Sequence, residues 1–244
     1  RIENNEFSDF EGYGIFFKGM GQQRFPHADL HGPTIVRWNA IHDTEEGGIF
    51  VGLLPATPAN PVLIYSNVIS RTGRAVQTLP LTGDPLQDPR NVKIVNNVFQ
   101  ACRTGIAVRS MRLGAAAMLS QNNIFASCQT AVEFWAPATA WTAANFDLEH
   151  DVVFDANSFV AVEPEGVNTR YNLAAFQAAF PFAENQPPAG LEADPLFVGA
   201  QDHRLQSTSP AHGRGRAVST VGGADGTVID VGAYVTGSEI IGAF

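Results

Sequence analysis

The chain has 244 residues, of which 45% are hydrophobic and 16% are charged, a composition typical of a folded globular protein. Its formal net charge of −9 argues against a nucleic-acid partner or an anionic membrane surface, because both require a basic stripe. No apolar run reaches the roughly 20 residues that a membrane-spanning helix needs.

One short motif recurs along the chain. Each copy has a short alternating strand, an asparagine corner, one or two apolar residues, a polar corner and a second strand. Aligned on one asparagine, the copies follow at spacings of 34, 28, 30 and 26 residues: Asn5, Asn39, Asn67, Asn97 and Asn123. A looser sixth copy is centred on Asp151. Units of this length that alternate with a period of two predict a solenoid of strands, in which each coil buries its apolar face against its neighbours.

Matching positions in successive copies are apolar, and we expect these residues to point into the coil. Three residues before the aligned position, the chain carries Ile2, Val36, Ile64, Ile94 and Leu148, with Ser120 interrupting the series. About nine residues after it come Ile15, Val76, Ile106 and Val132. The asparagines should stack from coil to coil, because their amides can satisfy backbone groups of a buried corner.

The copies place five coils along the chain, at residues 1–19, 34–51, 61–79, 91–109 and 116–135. The segments between them read as excursions from the coil: 20–33, 52–60, 80–90 and 136–144. No capping element precedes Arg1, and a solenoid needs its open end covered. We therefore expect the natural product to be longer at its N-terminus.

Two polar clusters contain the donor atoms of a cation site. His27, Asp29 and His31 alternate before a Gly-Pro turn and could chelate a metal or simply form a polar turn. Asp43, Glu45 and Glu46 could offer oxygens to Ca²⁺ at the corner of the second coil or lie solvated there. Solvated corners are the commoner outcome, so we expect no cofactor, with Ca²⁺ as the alternative.

Cys102 and Cys128 each lie five residues after a column asparagine and therefore share one column in adjacent coils. Strands of neighbouring coils are about 4.8 Å apart, a separation at which a disulfide can form. The alternative, which we favour, is a pair of buried thiols that fill the column.

The character of the chain changes after the fifth coil, so we divide it into coils at 1–154 and a last coil with a capping segment at 155–244. Residues 171–181 have apolar positions at helical spacing and predict a short amphipathic helix over the open end of the last coil. The predicted fold class is all-β, with a C-terminal cap that contains this helix.

The asparagine-centred repeat resembles a right-handed parallel β-helix of the pectate-lyase-like class. Four C-terminal stretches resemble the closing segment of many secreted bacterial β-helix proteins: Ala193-Asp194-Pro195-Leu196-Phe197, Arg204-Leu205, Ser209-Pro210-Ala211 and Asp230-Val231-Gly232-Ala233. The chain departs from that segment at His212-Gly213-Arg214-Gly215, where the family more often has Ile-Asp-x-Gly. The resemblance implies an extracellular or periplasmic location. It does not select a chemistry, because the segment recurs in lyases, in hydrolases and in proteins without known activity.

Enzymes of this class act on long, often acidic polysaccharides along one outward sheet, so we examined the positions that alternate with the inward strand residues. These form two outward columns: Phe16, Phe50, Gln77, Ala107 and Glu133, and two residues further on Lys18, Gly52, Leu79, Arg109 and Trp135. A uronate lyase needs a cation for the substrate carboxylate and a base for the neighbouring proton. The candidates are accordingly Arg109, Lys18 and Glu133 for catalysis and Trp135, Gln77, Phe50 and Arg112 for substrate binding. Trp135 should lie beside Arg109, with Glu133 on the same face; alternatively, Glu133 pairs with Arg109.

The sequence thus predicts an extracellular β-helix protein that binds or acts on polysaccharide, as a lyase on an acidic glycan if it is an enzyme. The alternative is a non-catalytic structural or carbohydrate-binding surface protein, which an apolar strip of Phe16, Phe50 and Leu79 would suit. A glycoside hydrolase needs two facing carboxylates, and only Glu133 lies in these columns. Self-association through the solenoid ends or the apolar strip is a further expected contact.

Overall fold

The structure is a computed structural model that describes residues 1–18, 33–52, 60–79, 91–109, 118–135, 146–162, 169–181, 183, 189–218, 228–234 and 241. In these ranges the elements, in chain order, are β1 (Ile2–Glu3), β2 (Glu6–Ser8), β3 (Tyr13–Lys18), β4 (Thr34–Arg37), β5 (Ala40–Gly52), β6 (Val62–Tyr65), β7 (Val68–Leu79), β8 (Val92–Val95), β9 (Val98–Gln100), β10 (Thr104–Arg109), β11 (Met118–Gln121), β12 (Ile124–Ala126), β13 (Thr130–Trp135), β14 (Phe146–Glu149), β15 (Val152–Phe154), β16 (Ser158–Val162), β17 (Thr169–Tyr171), α1 (Leu173–Ala179), β18 (Leu191–Glu192), β19 (Gly215–Arg216) and β20 (Val228–Ile229). None of the described helical residues form a helix long and apolar enough to cross a membrane.

The strands form three parallel stacks, which confirms the predicted β-solenoid. The first stack is β1-β4-β6-β8-β11-β14. The second contains β2, the first parts of β5 and β7, then β9, β12, β15 and β18. The third contains β3, the last parts of β5 and β7, then β10, β13 and β16, and ends with the antiparallel strand β17. The strands β5 and β7 each run through the corner between the second and third stacks. The hand of the coil stays a prediction.

The predicted inward residues line the main core in register. In the first stack Ile2 pairs with Val36, and the column continues through successive coils to Leu148. In the third stack the column that begins at Ile15 continues through Val76, Ile106 and Val132. Except for the half-buried Ile2, these side chains are buried, and each contributes roughly 1.5–3 kcal/mol of hydrophobic stabilisation.

The asparagines form the predicted ladder. The backbone N–H of Asn67 donates to Oδ1 of Asn97 at 3.0 Å, and the N–H of Asn97 donates to Oδ1 of Asn123 at 3.0 Å. Each side-chain amide also donates to backbone carbonyls, as Asn97 Nδ2 does to the oxygens of Ile64 and Val95. Asn39 continues the ladder and is buried, whereas Asn5 at its start is half-buried.

Ser120, which interrupts the apolar series, is explained by the carboxylate that ends this ladder. Asp151 takes the place of an asparagine and accepts the backbone N–H of Asn123 at 2.6 Å. Ser120 Oγ lies 3.5 Å from the other Asp151 oxygen and accepts from Asn123 Nδ2 at 3.1 Å. A buried carboxylate needs such polar neighbours, so a hydroxyl replaces the apolar residue at this position.

Two corners of every coil use the left-handed backbone region. The residue before each ladder position has φ between 52° and 59°, as at Asn96 and Asn122. The residue four positions after each ladder position has φ between 50° and 61°, as at Asp43, Arg71 and Ala101. Only asparagine, aspartate and glycine adopt this region readily, so Arg71 and Ala101 are held there by the stacked coils around them.

Both cysteines are free and buried, which agrees with the interpretation we favoured. Thr72 Oγ1 lies 3.5 Å from Cys102 Sγ, and Cys102 and Cys128 lie near backbone carbonyls of Ile69 and Phe99 at 3.6 and 3.5 Å. The column is therefore filled by small polar and sulfur-containing side chains.

The C-terminal region does more than cover the end of the solenoid. The predicted helix is α1, in which Leu173 and Phe176 are buried in the main core beside β16. The chain after it instead crosses the outer face of the second stack, where it forms a second apolar core with Val98, Ile124 and Val152. Asn96 and Asn122 donate to carbonyls of this crossing segment, which ties it to several coils. The prediction of a cap over the last coil alone was therefore incomplete.

Candidate functional site

The outer face of the third stack contains both predicted columns in the predicted register. Phe16 pairs with Phe50, Phe50 with Gln77, and Ala107 with Glu133. Arg109 pairs with Trp135 on the neighbouring strand. Along β10 and β13, residues that face the core alternate with residues that face outward. A shift of the strand register by one residue would expose the buried inward residues, and their burial therefore fixes this alternation.

Arg109 and Trp135 form the centre of this face. The guanidinium carbon of Arg109 lies 3.7 Å from the centroid of the Trp135 ring, within the range of a cation–π interaction. Trp135 is 39% exposed, so part of the ring remains accessible to a ligand. Arg109 and Trp135 therefore lie side by side as predicted, and the indole ring holds the guanidinium in one position.

Glu133 lies on the same face but is bonded to other partners. One carboxylate oxygen accepts from Trp135 Nε1, and the other accepts from Thr104 Oγ1 at 2.9 Å. Among the described residues, no ion pair joins Glu133 to Arg109, so the alternative of a simple surface salt bridge is wrong. Glu133 positions the indole ring that lies under Arg109.

A second aromatic group lies at the start of this face. Phe16 stacks on Phe50 with centroids 4.5 Å apart, and the ring of Tyr13 meets Phe50 edge-on at 5.2 Å. Tyr13 also donates its hydroxyl to Gln77 Oε1 at 2.6 Å. Phe50 is only 4% exposed and Gln77 is buried, whereas Phe16 is 51% exposed. The predicted exposure of Phe50 is thus wrong, because Phe16 and Tyr13 cover it.

Two further arginines concentrate positive charge around Arg109. Burial and the nearby charge of Arg74 lower the pKa of Arg109, and Arg103 acts in the same direction. Within the described part of the chain, the buried Nε atoms of Arg74 and Arg109 have no hydrogen-bond partner. Arg74, Arg103 and Arg109 therefore give this part of the face a positive charge.

Sequence reasoning missed Tyr13 and Arg74, which lie in a third outward column. Simple alternation places position 13 inward with Ile15, but Gly14 faces the core as well: a Cβ there would lie 2.7 Å from Ile41 Cγ2. Two successive inward residues shift the phase at the corner, so Tyr13 and Arg74 face outward. The Gly-Ile pair at the strand start was the available signal, because only glycine fits so close to the core.

The other predicted site residues lie partly or wholly outside the described residues. Lys18 pairs with Gly52 in the sheet, and its side chain and all of Arg112 lie outside the described residues. The proposed chelating group of His27, Asp29 and His31 also lies outside them.

The corner proposed for Ca²⁺ contains an ion-pair network instead. Arg71 donates to both oxygens of Asp43 at 2.7 and 2.6 Å, and His42 Nδ1 lies 2.8 Å from one of them. These partners hold the pKa of Asp43 well below its usual range. No group of three metal-ligating side chains occurs in the portion of the chain that is described.

No protein-family model, curated protein or solved structure matches the chain.

Proposed function

We propose that the protein binds an acidic polysaccharide along the outer face of the third stack. The observation that carries the proposal is Arg109, whose guanidinium lies on Trp135 while its buried Nε has no partner among the described residues. A carboxylate of the glycan would pair with this guanidinium, and hydrogen bonds between arginine and carboxylate are among the stronger ones in proteins. The exposed part of the indole offers an apolar surface for a sugar ring.

The length of the face favours a polymer over a single sugar. The exposed aromatic residues Phe16 and Trp135 lie on β3 and β13, which are separated by four strand-to-strand steps. At about 4.8 Å per step, they are roughly 19 Å apart along the solenoid axis. Arg74 and Arg109 lie between or beside these aromatic ends, so one extended chain can contact both rings and both cations.

β-Elimination on the same polymer is a second candidate, favoured by the two cations Arg74 and Arg109 on this face. In this reaction one cation neutralises the uronate carboxylate while a base removes the adjacent proton, which weakens the bond to the leaving sugar oxygen. Arg109, held on the ring of Trp135, would supply the cation, with Arg74 beside it. The candidate also rests on the resemblance of the ladder and the coils to the pectate-lyase-like class. Hydrolysis is disfavoured, because Glu133 is committed to Trp135 and Thr104.

Acidic polysaccharides of this kind lie outside cells, so we propose an extracellular or periplasmic location. If the protein binds the polysaccharide without cleaving it, the protein acts as a non-catalytic surface protein.

Affinity electrophoresis through gels that contain single polysaccharides tests the proposal. The parent protein should be retarded by uronic-acid polymers and much less by neutral glucans, and Trp135→Ala should remove the retardation. Accumulation of an unsaturated uronate product, lost in Arg109→Ala, would establish the lyase. The matched control is Arg37→Ala, because Arg37 also lies 3.7 Å over a tryptophan ring but is bonded to Glu3 at 2.7 Å. Equal retardation by acidic and neutral polymers would refute the proposal.

A further inference from the structure

A cavity of about 270 Å³ lies on a different face of the molecule, between the second stack and the C-terminal segment that crosses it. Its floor is formed by β5 and β7, where Ala40 pairs with Val68 and His42 with Ser70. Gln201, His203 and the ring of Tyr234 come from the crossing segment. Residues about 160 positions apart in sequence thus form one half-open site, separate from the proposed polysaccharide face.

The charged groups at the rim of this cavity neutralise one another. His42 bridges two carboxylates, with Nε2 2.9 Å from Glu6 and Nδ1 2.8 Å from Asp43. Hydrogen bonds to these carboxylates raise the pKa of His42 despite the opposing effect of its partial burial. Arg71 is bonded through two nitrogens to Asp43. Two cations therefore balance two anions, and a ligand with a net charge would have no free counter-ion there.

Nucleophilic catalysis is excluded at this site by the same contacts. Ser70 lies beside His42, but both ring nitrogens of His42 lie within hydrogen-bonding distance of carboxylates. An imidazole whose two nitrogens are both bonded to carboxylates has no nitrogen left to accept the hydroxyl proton of Ser70. The cavity is therefore a binding site and not a hydrolytic one.

The uncharged part of the lining has two kinds of surface. Ala40, Val68 and Ile241 provide aliphatic contact. Ser70 Oγ accepts from Arg71 Nη1 over 3.4 Å, a bond long enough for a ligand hydroxyl to replace. His203 is buried and held by Gln100 at 2.6 Å, and burial lowers its pKa to about 4, so it is neutral at pH 7. A ligand for this lining needs an apolar face, a hydroxyl-rich edge and no charge.

We propose that this cavity binds one neutral sugar ring of the pyranose type. Its C–H face would contact the aliphatic floor, and its hydroxyl groups would bond to Ser70, Arg71 and Gln201. The volume is slightly below the roughly 300–1,000 Å³ of pockets that enclose drug-sized ligands, which limits the occupant to a single ring. A neutral ligand of this size is expected to bind with a Kd on the order of 1 mM.

Side-chain NMR of the full chain tests the proposal through the imidazole signals of His42 and His203. The probes are the methyl pyranosides of glucose, galactose, mannose and xylose, with sodium glucuronate as the acidic counterpart. At least one neutral pyranoside should shift both signals with saturation in the millimolar range, while glucuronate should bind at least tenfold more weakly.

Four variants keep the test specific. Ala40→Leu fills the cavity and should weaken binding at least tenfold, whereas Ala174→Leu on the exposed side of α1 should leave it unchanged. Gln201→Ala, at an exposed position, should weaken binding without affecting folding. Trp135→Ala should have no effect, because the two sites are separate. The proposal is overturned if no neutral pyranoside shifts both signals, if glucuronate binds equally well, or if Ala40→Leu responds as the parent does.

Discussion

Asn97 accepts two hydrogen bonds from Asn67 on one side of the ladder and donates two to Asn123 on the other. Each buried asparagine therefore links three successive coils. The ladder therefore joins the coils through one continuous polar column.

The first prediction concerns this ladder. Asn97→Ala leaves the backbone N–H of Asn67 without its acceptor and removes a donor from the carbonyls of Ile64 and Val95. The free energy of unfolding should fall by roughly 1–3 kcal/mol, as measured by denaturant titration. Asn5→Ala is the control, because Asn5 is half-buried at the end of the ladder and should matter less. A smaller loss for Asn97→Ala than for Asn5→Ala would contradict the account.

The second prediction uses the strained corner at Ala101, where φ is 53° and the side chain is exposed. Ala101→Gly should raise the free energy of unfolding by about 1 kcal/mol, because glycine adopts this backbone region without a steric penalty. The same substitution at Ala174, inside α1, should instead lower it by about 1 kcal/mol. Thermal unfolding of both variants measures whether each substitution raises or lowers the free energy of unfolding. A change in the same direction for both variants would show that the corner is not strained.

The third prediction is a pH dependence of stability. Burial lowers the pKa of His203 to about 4, whereas the unfolded chain takes up the proton near pH 6.5. The contribution of neutral His203 is complete above pH 6.5 and is lost as the pH falls towards 4. His203→Gln should therefore reduce the loss of unfolding free energy between pH 7 and pH 5 by about 2 kcal/mol.

His42 provides the control with the opposite sign. Its pKa is raised by its carboxylate partners, so its contribution is present below pH 6.5 and is lost as the pH rises through its folded-state pKa. His42→Gln should increase the loss of stability between pH 7 and pH 5. A pH profile that both variants change in the same direction would contradict these assignments.

The fourth prediction tests the role of α1 as a cover. Phe176 is fully buried and packs against Phe159 and Phe180 with centroids 5.3 and 5.0 Å apart. Phe176→Ala should lower the free energy of unfolding by roughly 3–5 kcal/mol and promote aggregation through the opened end. Phe10→Ala, at a ring that is 46% exposed, should have little effect. Similar losses for the two variants would rule out a packing role for the helix.

The sequence predicted the coils, the ladder and the Arg109–Trp135 pair because residue types repeat at those positions. Local repetition cannot reveal a change of phase at a corner, and Tyr13 and Arg74 were missed for that reason. It also carries no information about which face a later segment crosses. The cavity between His42 and His203 therefore escaped prediction, since the apolar residues that hold the crossing segment do not repeat.

Calorimetric titration of an oligouronide into three proteins tests whether Arg109 and Trp135 bind an acidic polysaccharide. The parent should bind the oligouronide, and Arg109→Ala should bind it roughly tenfold to hundredfold more weakly, because a hydrogen bond to a charged group is lost. Arg37→Ala, which removes the other arginine stacked on a tryptophan, should bind as the parent does. Equal affinities for all three proteins, or equal losses in the two arginine variants, would contradict the claim.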